Sequence, residues 1–220
     1  PQVDVPDYDH LRHDRARAIE QGVELRRSRP GKDVAQELHR VVSARLGRLR
    51  DTELDEETIV ESPMGPMPLG QLMRRRAVDV WVHEQDIRTA LGRPGNLDAP
   101  GAALFSELAM DNLTSIVVDK VGVEPGKVVM IELTGPVIAR TGVRVEQGED
   151  GAASGHLMFS GGVDETGPIP AIGKTTSIQL STEAFTRRAA GRRSVEDLHY
   201  TVIGDEQVAA DVLEQLACTP

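Results

Sequence analysis

The sequence predicts a chain of mixed class in two parts: a helical bundle over residues 1–122, then a small α+β domain over residues 123–220. Three observations carry this. Apolar residues recur at three- and four-residue spacing through the first half. Short β-branched runs bounded by Gly and Pro take over after Gly122. Helix signals then return between and after those runs rather than in a separate block.

The first helix is expected from about Tyr8 to Arg27, charged on most sides, with Leu11, Ile19 and Val23 as a narrow apolar stripe. Pro30-Gly31 punctuates it. Asp33–Arg50 is more amphipathic, with Ala35, Leu38, Val42, Leu46 and Leu49 on one side. The prolines of Ser62-Pro63-Met64-Gly65-Pro66-Met67-Pro68 exclude helix interior and predict an ordered loop. Leu69–Leu91 is the longest candidate helix, closed by Gly92 and Pro94-Gly95. One more helix is expected from Pro100 to about Val121.

Strands are expected at Val128–Leu133, Val143–Val145, His156–Phe159, Ser177–Ser181 and Tyr200–Ile203, in a mostly antiparallel sheet. Thr182 is read as the cap of a helix over Glu183–Ala190 that ends at Gly191. A last helix runs over Asp205–Ala217 with Val208, Val212 and Leu216 as anchors.

Composition excludes several classes. The net charge of −10 disfavours nucleic acid as a partner, and Arg74-Arg75-Arg76 reads as a solvated helix face. No apolar stretch reaches the roughly 18 residues of a membrane span, and no secretory signal is visible, so a cytoplasmic location is expected. The single cysteine, Cys218, suits a reducing compartment and reads as a packing residue rather than a nucleophile.

Leu69–Leu91 carries the chemistry. Wound at about 100° per residue, it places Arg74, Glu84, Gln85 and Arg88 together on a solvent side. The opposite side has Asp79, His83, Asp86 and Ala90 down its centre, flanked by Val78 and Val82 on one edge and by Val80 and Ile87 on the other. Polar groups on an apolar face must be paired, since unpaired burial costs about 1–3 kcal/mol each. Two readings compete. The three side chains form a buried network with one another and with Arg75 or Arg76. Alternatively, Asp79 and His83, four residues apart, present two donors to one metal ion. Trp81 falls on the polar side, where it either covers exposed surface or packs against the second domain, the latter being preferred. His10 and His13 are read as solvated rather than as half of a metal site, and His39, His156 and His199 have no clustered partners.

The run Arg76-Ala77-Val78-Asp79-Val80-Trp81-Val82-His83-Glu84-Gln85-Asp86-Ile87-Arg88-Thr89-Ala90-Leu91-Gly92-Arg93-Pro94 resembles the signature helix of the mycothiol-dependent maleylpyruvate isomerase family. The preceding Pro-Gly-Pro loop, Thr182-Glu183-Ala184-Phe185, Gly191-Arg192-Arg193, Gly204-Asp205 and the Thr219-Pro220 ending extend the resemblance over most of the chain. It implies a DinB-like, metal-binding four-helix bundle followed by a sterol-carrier-like α+β domain. It also implies zinc, or another divalent metal, held by a first-helix His and by a carboxylate and a His four apart. The latter two fall on Asp79 and His83, with Asp86 orienting an imidazole N–H.

Two departures follow from the same resemblance. The family's usual Glu is Asp79 here, and the first-helix His has no counterpart, so the chain is expected to begin after that helix. Weak or absent zinc binding is therefore expected of these residues alone.

The implied chemistry uses mycothiol as thiolate against an electrophilic substrate, as transferase or isomerase. None of Asp79, His83 and Asp86 is then a catalytic nucleophile; that role belongs to the cofactor thiol. The competing expectations are a non-catalytic small-molecule-binding or regulatory member of the same fold, and an interaction module whose polar stripe is only an ion-pair network. Oligomeric state is not legible in the sequence.

Overall fold

Helices form over most of the segments that apolar spacing predicts, although the first begins at Asp14 rather than near Tyr8, and strands form where β-branched runs lie between turn residues. The computed structural model describes residues 3–9, 11, 14–51, 55–62, 64–148, 151–159 and 174–217. His10, His13 and Cys218 lie outside the described residues. The chain divides into two compact units, residues 1–70 and 71–220.

In the first unit, α1 spans Asp14–Arg27 and α2 spans Gly31–Asp51. Glu37 of α2 accepts from both Arg26 and Arg29, which ties the two helices together at the Pro30 turn. Those guanidiniums, Arg26 first, hold the Glu37 carboxyl below the ordinary carboxylate range. The amphipathic pattern of α2 makes a helix but not a buried one: Leu38, Val42 and Leu46 are exposed. The proline loop is crossed by a small hairpin, β1 (Ile59–Val60) with β2 (Met67–Pro68).

The 22-residue helix α3 spans Leu69–Ala90, as its spacing predicts. Gly92, at φ 62°, closes it: the Arg93 N–H reaches back to the Arg88 carbonyl at 2.8 Å and the Gly92 N–H to Thr89. The helix expected over Pro100 to about Val121 is broken. It forms α4 (Pro100–Met110), a short turn α5 (Leu113–Ser115) and a π-helical turn over Ile116–Lys120. The break falls at Asp111-Asn112, where the Asn112 side chain donates to the Leu108 carbonyl at 3.0 Å. Short polar side chains compete in this way for helix backbone groups.

Five strands follow: β3 (Val128–Thr134), β4 (Ala139–Gln147), β5 (Ala153–Met158), β6 (Thr175–Ser181) and β7 (Tyr200–Ile203). Their order in the sheet is β5-β4-β3-β6-β7. Only the β3–β6 pairing is parallel, so the sheet is mostly antiparallel as expected. β4 is longer than the Val143–Val145 segment expected, because Ala139–Arg144 pairs residue for residue with β3. Alternation puts Val129, Ile131, Leu133, Val143, Val145, Ile178 and Leu180 on one face, all essentially inaccessible.

Against that face pack Leu113, Ile116 and Val117, then Phe185 and Ala189 of α6 (Thr182–Ala189), then Val212 and Leu213 of α7 (Glu206–Gln215). Each fully buried large side chain contributes about 1.5–3 kcal/mol. The α6 cap is Ser181 rather than Thr182: its hydroxyl accepts the Ala184 N–H at 3.1 Å. The buried Thr182 hydroxyl instead accepts the Val137 N–H and donates toward the Thr134 and Val137 carbonyls, pinning the start of α6 to the β3–β4 turn. Among the described residues no helix is long and apolar enough to cross a membrane.

Candidate functional site

Within the second unit, the face of α3 that joins the core is Val78, Trp81 and Val82. Trp81 decides this. Its ring packs against Phe105 of α4 with centroids 6.1 Å apart, and its indole N–H donates to the Asn96 carbonyl at 3.1 Å. A Cβ on Gly101 would meet the Trp81 side chain at 2.7 Å, so the two helices approach closely only because residue 101 is glycine. The expected inward face is therefore corrected. Glu84 and Gln85, expected in solvent, are half-buried and accept from or donate to the Gly95-Asn96 loop. Val80 and Ile87, expected as apolar flanks, are exposed. Trp81, expected on the polar side, is buried. The core selected the side with the largest apolar surface: Trp81 with Val78 and Val82 outweighs Val80 and Ile87.

Asp79 and His83 consequently stand on the outer side of the helix, their side chains 56% and 63% exposed. They remain neighbours. The His83 Nε2 lies 3.7 Å from Asp79 Oδ1, and its Nδ1 lies 3.4 Å from Asp86 Oδ2. Arg76 stands 3.9 Å from Asp79. One imidazole thus sits between two carboxylates along a single stripe of α3.

Asp86 is differently placed, at 31% side-chain exposure. Arg192 forks onto it, with Nε 3.1 and 3.3 Å from the two oxygens and Nη2 at 3.0 Å. Arg187 adds a second guanidinium at 3.6 Å. The Arg192 hydrogen bonds, against an opposing cost of burial, hold the Asp86 carboxyl below its ordinary range, and the neighbouring His83 adds to the effect. The local fold delivers both arginines. Arg187 is on the last turn of α6, and Gly191, at φ 68°, reverses the chain so that the Arg192 N–H returns to the Arg187 carbonyl at 2.9 Å. Arg192 Nη1 also donates to the Ala190 carbonyl at 2.8 Å, which leaves its fork aimed at Asp86.

Sequence reasoning paired the stripe with Arg75 or Arg76 and missed Arg187 and Arg192. The available signal was the Gly191-Arg192-Arg193 segment, noted for its resemblance but given no role. Among the described residues no group of three or more His, Cys, Asp and Glu side chains is gathered to hold a metal ion. Asp79 and His83 are two donors at a spacing one cation can bridge.

These features define an α+β protein with an imidazole–carboxylate stripe on a helix, anchored at one end by an arginine pair. Residues 1–88, which include Asp79, His83 and Asp86, match the family model of the mycothiol maleylpyruvate isomerase N-terminal domain. By that match this part of the chain is similar to the N-terminal domain of the mycothiol maleylpyruvate isomerase family. No curated protein matches the chain.

Proposed function

We propose that the protein is a mycothiol-dependent, zinc-assisted thiol transferase or maleylpyruvate-type isomerase. In this reading a DinB-like bundle over residues 1–122 is joined to a sterol-carrier-like domain over 123–220. The observation that supports it most is the placement of His83 between Asp79 and Asp86, inside the segment that matches the family. Asp79 and His83 would hold the metal. The fit is partial: two suitable donors are present, and no third joins them among the described residues. When bound, such an ion lowers the pKa of a coordinated thiol.

The chain's own residues prepare the stripe. A carboxylate beside Nδ1 favours the tautomer protonated there and leaves the Nε2 lone pair on the Asp79 side. Arg192, with His83 itself, favours the ionised form of Asp86, so the acceptor for that N–H persists below the ordinary carboxylate range. The partners are a small-molecule thiol and an electrophile.

Zinc titration of the chain, followed by calorimetry and by the His83 ring resonances in NMR, tests the donors. Weak, saturable binding is expected, abolished in Asp79→Ala and His83→Ala and weakened about tenfold or more in Asp86→Asn. Mycothiol-dependent consumption of maleylpyruvate tests the activity. Zinc that leaves the His83 ring unmoved, together with no turnover, would replace this reading with a non-catalytic small-molecule-binding member of the fold.

A further inference from the structure

A second feature lies on the other side of the α6 turn. The loop from Gly191 to His199, between α6 and β7, borders an open cavity of about 700 Å³, within the range of small-molecule sites. In a chain of net charge −10, its lining is basic: Arg188, Arg192, Arg193 and His199, against one carboxylate, Asp197.

Two of these arginines are committed elsewhere. Arg188, buried, donates to the Leu213 carbonyl at 2.7 Å, the Arg193 carbonyl at 2.9 Å and the Glu214 carbonyl. It is a structural clamp that fixes the loop against the end of α7. Arg192 is spent on Asp86 and the Ala190 carbonyl. Asp197 is engaged by the Ser194 hydroxyl at 2.9 Å. Among the described residues, the Arg193 guanidinium and the His199 imidazole have no hydrogen-bond or ion-pair partner. The Arg193 side chain is half-buried, where an unmatched charge has most to gain from an anion.

We propose that this cavity binds a small molecule through a terminal oxyanion group, carboxylate or phosphate, with Arg193 as the anchoring cation and His199 beside it. The clamp at Arg188 holds the backbone that carries Arg193, so the site is formed before the ligand arrives. The proposal does not depend on metal chemistry at Asp79 and His83.

The test is a titration of the ¹⁵N-labelled chain with sodium phosphate and, separately, with sodium succinate, at constant ionic strength. Saturable shifts confined to the amides of residues 191–199 are expected, and the anion that saturates first identifies the group as phosphate or carboxylate. Arg193→Gln should weaken that binding about tenfold or more, with the rest of its spectrum reporting an intact fold. His199→Gln should weaken it about threefold. Arg140→Gln, on the sheet beside Glu132 and Phe159, should leave it unchanged. Shifts that rise linearly with both anions mean an adventitious ion only. That result overturns the proposal, as does Arg193→Gln binding like the unaltered chain, or Arg140→Gln weakening it equally.

Discussion

Asp79 and Asp86 lie seven residues apart on the same stripe of α3, and the two ends of that stripe live in different surroundings. Asp86 is half-buried under the forked contact of Arg192, with Arg187 behind it. Asp79 has His83 at 3.7 Å and Arg76 at 3.9 Å, and is otherwise open to solvent. The helix is the same and the residue type is the same. What differs is the reach of the α6 turn, which covers the Asp86 end only. A carboxylate acquires a fixed geometry and a shifted acidity from tertiary neighbours, while helical spacing only decides which carboxylates share a side.

The sharpest way to break this contrast is to loosen the helix itself. Trp81→Ala removes the anchor that seats α3 against α4, and we expect a loss of about 3–5 kcal/mol in denaturant unfolding. A loss below about 1 kcal/mol would mean that the indole is not the anchor. Next in size is Asp86→Ala, which leaves two guanidiniums without the carboxylate they share; about 1–2 kcal/mol is expected. Exposure of the pair keeps the figure below that of a fully buried one.

The same contact has a pH signature. Because the folded-state acidity of Asp86 is depressed, its stabilisation is complete above the unfolded-state value and is lost as pH falls through the lower, folded one. The stability difference between the unaltered chain and Asp86→Asn should hold steady above about pH 5 and shrink below about pH 4. A difference that stays constant down to pH 2 would assign the effect to something other than ionisation. The smallest effect belongs to Asp79→Ala, expected within about 0.5 kcal/mol of the unaltered chain. Equal costs at positions 79 and 86 would erase the contrast.

Much of the fold was legible because local signals were undivided. Gly92 closes α3 and Gly191 closes α6, and in each case a positive φ at glycine ends a run of regular spacing. The strands of the sheet followed their β-branched alternation. The orientation of α3 was not legible, because apolar residues occur on both sides of it. Val80 and Ile87 compete in sequence with Val78 and Val82, and only contact with α4 separates them. The indole area of Trp81 was the clue that outweighed the pattern. Nor was the Asp86–Arg192 pair legible, since 106 residues separate its members and no periodicity spans that distance. Asp79 and His83 were found as neighbours from spacing alone, but their exposure depends on which side of the helix the core selects.

The bare backbone at Gly101 reaches further than its own contact. With the Trp81 side chain 2.7 Å from where a Cβ would stand, α3 cannot turn about its axis without driving the indole into α4. A rotation by one residue is about 100°, enough to carry His83 out of line with any group it now faces. The azimuth of the imidazole is therefore set from the far side of the helix, by an atom that glycine lacks. A larger residue at position 101 would act on His83 without touching it, as a wedge acts on a dial.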